Sequence, residues 1–507
     1  MSGHEWETMG DTDFDALLEE TVPEHPPEDI VAKVTPWKQS INRILTGMAL
    51  MAITLNFWGL NYILPAIGAV LQLLGFRALR HENGWFKCCF GVSVIRTVYF
   101  LASLTLNTTI IQSAVYASVI GTVLNAANLL LTFVLIAGLW GGFTAVQRKA
   151  GLPPHAGGAA ALFAWYVLMC LLALVQYSGW IMITIMLVGY FFILRSLFRL
   201  SRELDEAGYV IRTAPVQMTD RCVVISLGAL LLAGMVCGYV FGGSYPMEWS
   251  VKNAAEHDEV EGIKVHLKSL GFPEYVLDDL SAEDIAACES AERVVVDVSA
   301  DPMEVGQGEK KHRHNASQET IFAVQGLRIT SVGVLLPGER DRWMIFHHFL
   351  WTVDPGFYGT ESIQLWPVYR DISDGWRAVG GVTGRILYDG DGETFTADYY
   401  FLGEQAYTSD SFFGGSQSNA DVFAAFSMPR GGRSHRGYVA YSTEEVQEGY
   451  LINSWCNYTH QQSWMQYPAM TAMGMRMTNL WNNAGVFQTT QDALQFYPTE
   501  AGTEPLS

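Results

Sequence analysis

Cys222-Val-Val-Ile-Ser-Leu-Gly-Ala-Leu-Leu-Leu-Ala-Gly-Met-Val-Cys-Gly-Tyr-Val-Phe241 contains no charged residue. Its length matches the roughly 20 residues that a helix needs to cross about 30 Å of hydrocarbon. Before it, back to about Ile44, the chain is mostly apolar and helix-like. After it, to Ser507, the chain is polar, acidic and rich in strand-forming residues. The stretch reads as the last membrane span, joining a helical membrane domain to a folded soluble domain.

Composition agrees with this division. Of 507 residues, 50% are hydrophobic and 16% charged, against about 25% charged in an average soluble domain. Residues 246–507 hold 17 Lys+Arg against 36 Asp+Glu, so they carry −19 of the net charge of −20. A soluble half this acidic disfavours nucleic acid, whose phosphates need Lys and Arg. Five of seven cysteines fall in or beside apolar runs, where Cys acts as a small hydrophobe. Only Cys288 and Cys456 lie in the soluble half, and two cysteines make no disulfide framework.

Upstream, residues 1–32 are acidic and lack Lys and Arg. They read as a disordered tail, not as a signal peptide, which would open with positive charge. Apolar runs predict seven spans, at about 44–60, 62–76, 88–107, 119–143, 159–177, 179–198 and 222–242. Splitting 44–76 into a pair rests on Asn56, Gly59, Asn61 and on Pro65 as the first turn of a new helix. Positive charge supports the count. Lys38 and Arg43 precede span 1; Arg77, Arg80 and Lys87 follow span 2; Arg148 and Lys149 follow span 4; Arg199, Arg202 and Arg221 lie between spans 6 and 7. The turns after spans 1, 3 and 5 carry no Lys or Arg. The positive-inside rule then puts the N-terminus in the cytoplasm and residues 243–507 outside it.

The expected fold is an all-α bundle of seven transmembrane helices, followed by an extracytoplasmic α+β domain dominated by an antiparallel β-sandwich or jelly roll. The expected division is a cytoplasmic tail over 1–40, the bundle over 41–245, a helical cap with a first strand over 246–300 and the sandwich over 301–507. In the cap, Val260, Ile263, Leu267 and Leu270 share a helical face, and Ser281 with Asp284 resembles a capping box. Strands are expected at 293–298, 320–325, 328–336, 342–352, 361–369, 376–380, 383–389, 393–402, 421–427, 436–442, 449–458 and 463–468, with a closing helix over 469–482.

Chemistry is sparse. Ionisable groups in a membrane mark pathways or catalysis, yet Arg96 alone sits well inside a span. Asn125 and Asn128 in span 4 are spaced to share a helix face with each other; helix–helix adhesion is their blander role. His312, His314, His347 and His348 do not converge as a zinc site requires, since the last two are adjacent on a strand and point to opposite faces. Asp389-Gly-Asp-Gly-Glu393 has Thr394 where a calcium loop needs Gly, so a hairpin turn is expected. No Gly-x-Ser-x-Gly elbow, P-loop or Cys-x-x-Cys occurs. No metal and no cofactor are therefore expected.

Asn453–Trp464 mixes rings and amides most densely. Its Trp455, Asn457, Tyr458, His460 and Trp464 are the candidate binding residues of the soluble half. Such rings also fill sandwich cores. The leading expectation is a polytopic plasma-membrane protein that presents a β-rich domain for binding or sensing, without catalysis. Besides the lipid bilayer, the expected partner is an envelope glycan, a peptide or a protein. The alternatives are a transporter or channel worked by the bundle, and an extracytoplasmic hydrolase on the β domain.

Overall fold

A computed structural model describes residues 36–52, 59–155, 157–175, 179–207, 209, 211, 218–299, 326–370, 375–410, 416–478, 485–498 and 505. The acidic segment 1–35, the basic loop with His312 and His314, the expected strand 320–325 and Trp481 lie outside the described residues. The chain divides into two compact units. One takes residues up to Thr105 with Ala114–Ala233; the other takes Leu106–Ser113 with Gly234–Ser507.

The first helices are α1 (Pro36–Ala52), α2 (Leu60–Leu79), α3 (Gly84–Leu106), the short α4 (Gln112–Ala117), α5 (Val119–Lys149), α6 (Gly157–Leu174), α7 (Trp180–Glu206) and α8 (Asp220–Gly242). Among the described residues, six are long and apolar enough to cross a membrane: α2, α3, α5, α6, α7 from Ile181, and α8. Seven spans were expected, and α1, with 17 residues, is the one below that length. It starts earlier than its apolar run suggests, because Pro36 suits a first helical position and Trp37, Ile41, Ile44, Leu45 and Met48 repeat at helical spacing on a buried face. Pro65 is the sixth residue of α2, not part of its first turn. Gly59 makes the turn instead, with φ of 70° and its carbonyl accepting from the Tyr62 and Ile63 amides at 3.0 and 3.1 Å.

In the first unit α1 and α2 touch backbone to backbone. A Cβ on Gly47 would stand 2.5 Å from the Gly68 carbonyl oxygen, the close approach that small residues allow between membrane helices. Trp37, Phe76, Phe86 and Phe143 form an aromatic knot, with Trp37 edge-on to Phe143 at 6.1 Å. Charges gather beside it. Arg43 pairs with Asp220 at 2.7 Å, Lys38 with Asp205 at 3.7 Å and Lys149 with the buried Glu82 at 2.7 Å. These contacts bring the starts of α1 and α8 together with the end of α7, and the turn before α3 together with the end of α5. Away from this end the helix surfaces are apolar and exposed, as at Val119, Leu130, Ile181 and Leu230.

The second unit contains two antiparallel sheets. Its strands are β1 (Ser250–Val251), β2 (Arg293–Val298), β3 (Leu327–Leu336), β4 (Arg342–Trp351), β5 (Glu361–Trp366), β6 (Trp376–Gly390), β7 (Glu393–Ala397), β8 (Phe401–Asp410), β9 (Ser416–Phe426), β10 (Arg433–Glu445), β11 (Ile452–Gln461) and β12 (Phe487–Phe496). One sheet has the order β1-β7-β6-β10-β4-β3-β2 and the other β12-β11-β5-β9-β8. Alternate residues of both, among them Ile329, Trp343, Phe349, Ile363, Phe426, Tyr458 and Phe496, fill one core between them. On its other face the seven-stranded sheet carries the cap helices α9 (Glu261–Ser269), α10 (Glu274–Leu277) and α11 (Ala282–Ala286), with Leu267, Val276 and Ile285 packed on Val332, Phe346 and Tyr438. Ser281 caps α11 by accepting from the Asp284 amide at 3.2 Å.

Three expectations are corrected and one strand is added; the expected strand 393–402 is two strands, β7 and β8, in different sheets. The strands at 376–380 and 383–389 are one strand, β6, whose register against β10 slips at a bulge containing Gly380 and Gly381. Residues 463–468 are a loop, because beyond Gln461 both neighbours of β11 have run out: β5 begins at Glu361 and β12 at Phe487. β12 itself, Phe-Gln-Thr-Thr-Gln-Asp-Ala-Leu-Gln-Phe, is too polar to read as a strand and is held by ten paired positions along β11. The Asp389–Thr394 segment is the expected hairpin turn, with Asp391 and Gly392 both at positive φ. Cys288 lies in the cap core and Cys456 in the sandwich core, and both are free.

A buried ion network fastens the cap to the sheet. Asp279, before α11, receives His348 of β4 on one oxygen and Arg436 of β10 on the other, each at 2.8 Å. Burial works to raise the Asp279 pKa, but the hydrogen bonds and charges of His348 and Arg436 outweigh it and hold the carboxyl below its usual range. That stability is present at neutral pH and drains away as pH falls below about 4. Asp279→Asn is expected to cost about 3 kcal/mol in denaturant unfolding of the full chain in detergent. The variant should also lose part of the wild type's decline in stability below pH 4.

Candidate functional site

Strand alternation sorts the candidates of the soluble half. On β11, Cys456 and Tyr458 are in the sandwich core, and His460 points the same way. Trp455, Asn457 and Thr459 take the opposite face. The expected site is therefore split by the sheet.

The inward residues belong to sealed polar networks. His460 Nδ1 and Glu361 Oε1 stand 2.7 Å apart, both buried, with Trp351 packed on the imidazole at 4.9 Å. Trp351 Nε1 donates to the Tyr458 hydroxyl at 3.1 Å. Burial raises the Glu361 pKa against the opposing pull of His460. Elsewhere in the core, His347 Nδ1 lies 2.7 Å from Ser331 Oγ and its Nε2 lies 2.7 Å from Ser454 Oγ, which also accepts from Tyr441 at 2.7 Å. Burial pushes the His347 pKa down to about 3. Serine, histidine and carboxylate thus gather where no substrate reaches them: Ser331 and Ser454 are 0% exposed. His347 and His348 do face opposite sides of β4, toward Ser454 and toward Asp279. No group of three or more metal-ligating side chains occurs among the described residues.

The outward face of the five-stranded sheet is different. It presents Gln364 and Trp366 from β5, Tyr407 from β8, Asp421 from β9 and Trp455 and Asn457 from β11. Asp421, buried, organises them. Its Oδ2 accepts from Gln364 Nε2 at 2.7 Å, Tyr407 at 2.6 Å and Trp366 Nε1 at 3.2 Å, and its Oδ1 lies 2.8 Å from an Arg370 nitrogen. Burial first, then the bond to Asp421 and its charge, raise the Tyr407 pKa, so the phenol stays a donor. A short helix, α12 (Ala472–Met477), sends Arg476 to Gln364 Oε1 at 2.8 Å. The Arg370 guanidinium lies over the Trp366 ring at 4.8 Å and is 35% exposed. Trp366 faces its cross-strand partner Trp455 at 6.3 Å. Asn457 Nδ2, beside Gln364 in the ladder, is buried with no acceptor.

The arrangement offers a cation and two half-buried indoles at the rim, with amide donors behind them. It suits recognition of a polar ring or a planar group. Gln364, Arg370, Tyr407 and Asp421 were not singled out from sequence. The available signal was the period-two run Ser362, Gln364 and Trp366, alternating with the apolar Ile363 and Leu365 on the strand's other face.

In the helices, Arg96 Nε donates to Asn128 Oδ1 at 3.4 Å, and the Tyr99 hydroxyl to Asn125 Oδ1 at 2.9 Å. Asn125 is exposed and Asn128 half-buried. Trp464 lies apart from the other β-domain candidates, on the loop after β11, with its ring 5.4 Å from Tyr239 of α8.

No family model matches the chain, and no curated protein matches it. Among solved structures, it is similar to one described as a pore forming protein, at 6% identity and a TM-score of 0.19, over 40% of this chain and 89% of that one. It is also similar to AvmM, described as catalysing macrocyclization in alchivemycin A biosynthesis, at 13% identity and a TM-score of 0.15, over 33% of this chain and 84% of that one. Overlaps this slight assign neither fold nor function.

Asp421→Asn points an NH2 either at Arg370 or at the three donors that meet on Oδ2. The expected cost is about 1–3 kcal/mol in thermal unfolding of the full chain, with Tyr407→Phe costing about 1 kcal/mol.

Proposed function

We propose that this is a polytopic membrane protein whose β-rich domain lies outside the cytoplasm and binds or senses a ligand there, without catalysis. The observation that carries the reading is the Arg370–Trp366–Trp455 rim, half-exposed above the buried Asp421, in a domain whose His347, His460 and Glu361 are sealed in the core. A glycan of the envelope is the ligand class this chemistry favours, since sugar rings stack on indoles and their hydroxyls pair with amides and guanidinium.

The orientation rests on charge. The ion pairs of Lys38, Arg43, Arg77 and Lys149 collect at one end of the first unit, and Arg80, Lys87, Arg148 and Arg221 are close to them in sequence. The positive-inside rule makes such an end cytoplasmic. It also favours seven crossings, with α1 as the first, because helix starts and helix ends alternate at that end along the chain. The far end of α8 then leads outward into the β domain.

Two experiments test this. Protease added to intact cells or protoplasts should digest residues beyond about 245 and spare the N-terminal segment; protection of the C-terminal half would overturn the topology. Full chain in nanodiscs, titrated with soluble envelope oligosaccharides, should change its tryptophan emission on binding. Trp366→Ala and Trp455→Ala are each expected to weaken that binding at least tenfold, about 1.4 kcal/mol. Binding unaltered by both substitutions would remove the rim from the reading.

A further inference from the structure

The second unit contains an open cavity lined by residues of that unit alone, including Thr108, Ile110, Tyr239, Tyr358, Arg430 and Trp464. Its floor is the last turn of α8. The Ile110 amide donates to the Gly242 carbonyl at 2.8 Å, and the Tyr239 hydroxyl donates to the Gln466 carbonyl at 2.6 Å. The loop after β11 is tied down a second time, by the Ala469 amide donating to the Asn107 carbonyl at 2.7 Å. Tyr239 lies three residues before the end of α8, about 4.5 Å along the axis at 1.5 Å per residue. A loop held against Tyr239 is thus held at the edge of the hydrocarbon that α8 crosses.

Three features of this place point to one ligand chemistry. Trp464 and Met465, at the tip of the held loop, are 56% and 75% exposed. A tryptophan at this depth belongs to the head-group belt, where its apolar body and polar tip are both satisfied. Val240 of α8 lines the cavity, and Val236, Val240 and Phe241 are 54%, 51% and 83% exposed, an apolar surface on the same stretch of helix. Arg430 also lines the cavity, exposed and without an ion pair among the described residues. The nearby Asp354 is already engaged, accepting from the Gly356 amide at 2.7 Å and the Tyr358 hydroxyl at 2.8 Å. A cation, an aromatic rim and an apolar helix surface are what a phospholipid's phosphate, glycerol and acyl chain each require.

We propose that this cavity holds the head group of a phospholipid of the leaflet at the C-terminal end of α8. Its phosphate pairs with Arg430, its acyl chains run along Val236, Val240 and Phe241, and Trp464–Met465 dips into the interface beside it. Guanidinium and phosphate make charge-assisted hydrogen bonds, so the lipid ties the β domain to the bilayer surface through Arg430. The inference rests on α8 crossing the membrane and is independent of what the Trp366 rim binds.

The test uses the full chain purified in detergent, native mass spectrometry, and added phosphatidylglycerol or inorganic phosphate as separate probes. Wild type should retain one phosphatidylglycerol at low lipid excess. Arg430→Gln and Trp464→Ala should each lower that retention at least fivefold at unchanged melting temperature, and Arg430→Lys should restore part of it. Equal retention by wild type, Arg430→Gln and Trp464→Ala would overturn the proposal. So would saturation by inorganic phosphate that blocks lipid uptake without any requirement for Trp464, which would make this a site for a free anion. A carbonate wash of membranes separates the two readings. Release of the wild type by the wash would sink the membrane assignment as well, whereas a retained wild type with unaltered lipid binding in the variants would sink the lipid site alone.

Discussion

Hydrocarbon offers no hydrogen bond to a peptide group, so a chain that crosses it must satisfy its own backbone. That constraint governs the first half of this protein. It requires continuous helices there, lets their outer faces be apolar, and confines charge to the ends. Lys38, Arg43, Arg77, Lys149, Glu82, Asp205 and Asp220 meet at one such end, where they pair with one another. Arg96 is the exception, and its neighbour Asn128 supplies an acceptor at 3.4 Å where no carboxylate is present. The same constraint makes α8 a fixed reference for the chain after it, because a helix that spans the bilayer ends at a known depth.

Beyond α8 water is the solvent and the logic changes. The β domain buries many polar side chains, and each carries a desolvation cost unless partnered. Asp279 with His348 and Arg436, Glu361 with His460, and His347 between two serines repay that cost at the seams between cap and sheet and between the two sheets. Such groups resemble catalytic constellations in a residue list. Their enclosure assigns them to specifying how the layers fit. Asp421 is also buried, but its partners Trp366 and Arg370 extend from it to the surface. Access to solvent, not the identity of the residues, separates the binding candidate from the structural networks.

Much of the architecture was legible in the sequence, because hydrophobic length and period two report burial directly. The apolar runs anticipate α3, α5, α6, α7 and α8, and the alternation anticipates β3, β4, β5, β10 and most of β11. The errors share a cause. β12 is polar and becomes a strand only because β11 offers it a ladder. Residues 463–468 alternate like a strand and have no neighbour to pair with. The glycines of β6 read as a break and form a bulge. Pairing is a property of two segments, and one segment's pattern does not carry it.

The candidate site shows the same division. Sequence by itself determined that Trp455, Asn457, Tyr458, His460 and Trp464 lie in one ring-rich and amide-rich stretch, and that Arg96 is alone among the spans. Tertiary structure decided that these five serve three places: Trp455 and Asn457 the outer sheet face, Tyr458 and His460 the core, and Trp464 the end of α8. Only strand pairing brought Trp366 beside Trp455 and Asp421 beside Gln364, across separations of 89 and 57 residues. Side chains on a strand alternate with every residue, so a stretch that is continuous in sequence faces two environments, and the partners on each face come from distant strands whose identity the local pattern does not contain.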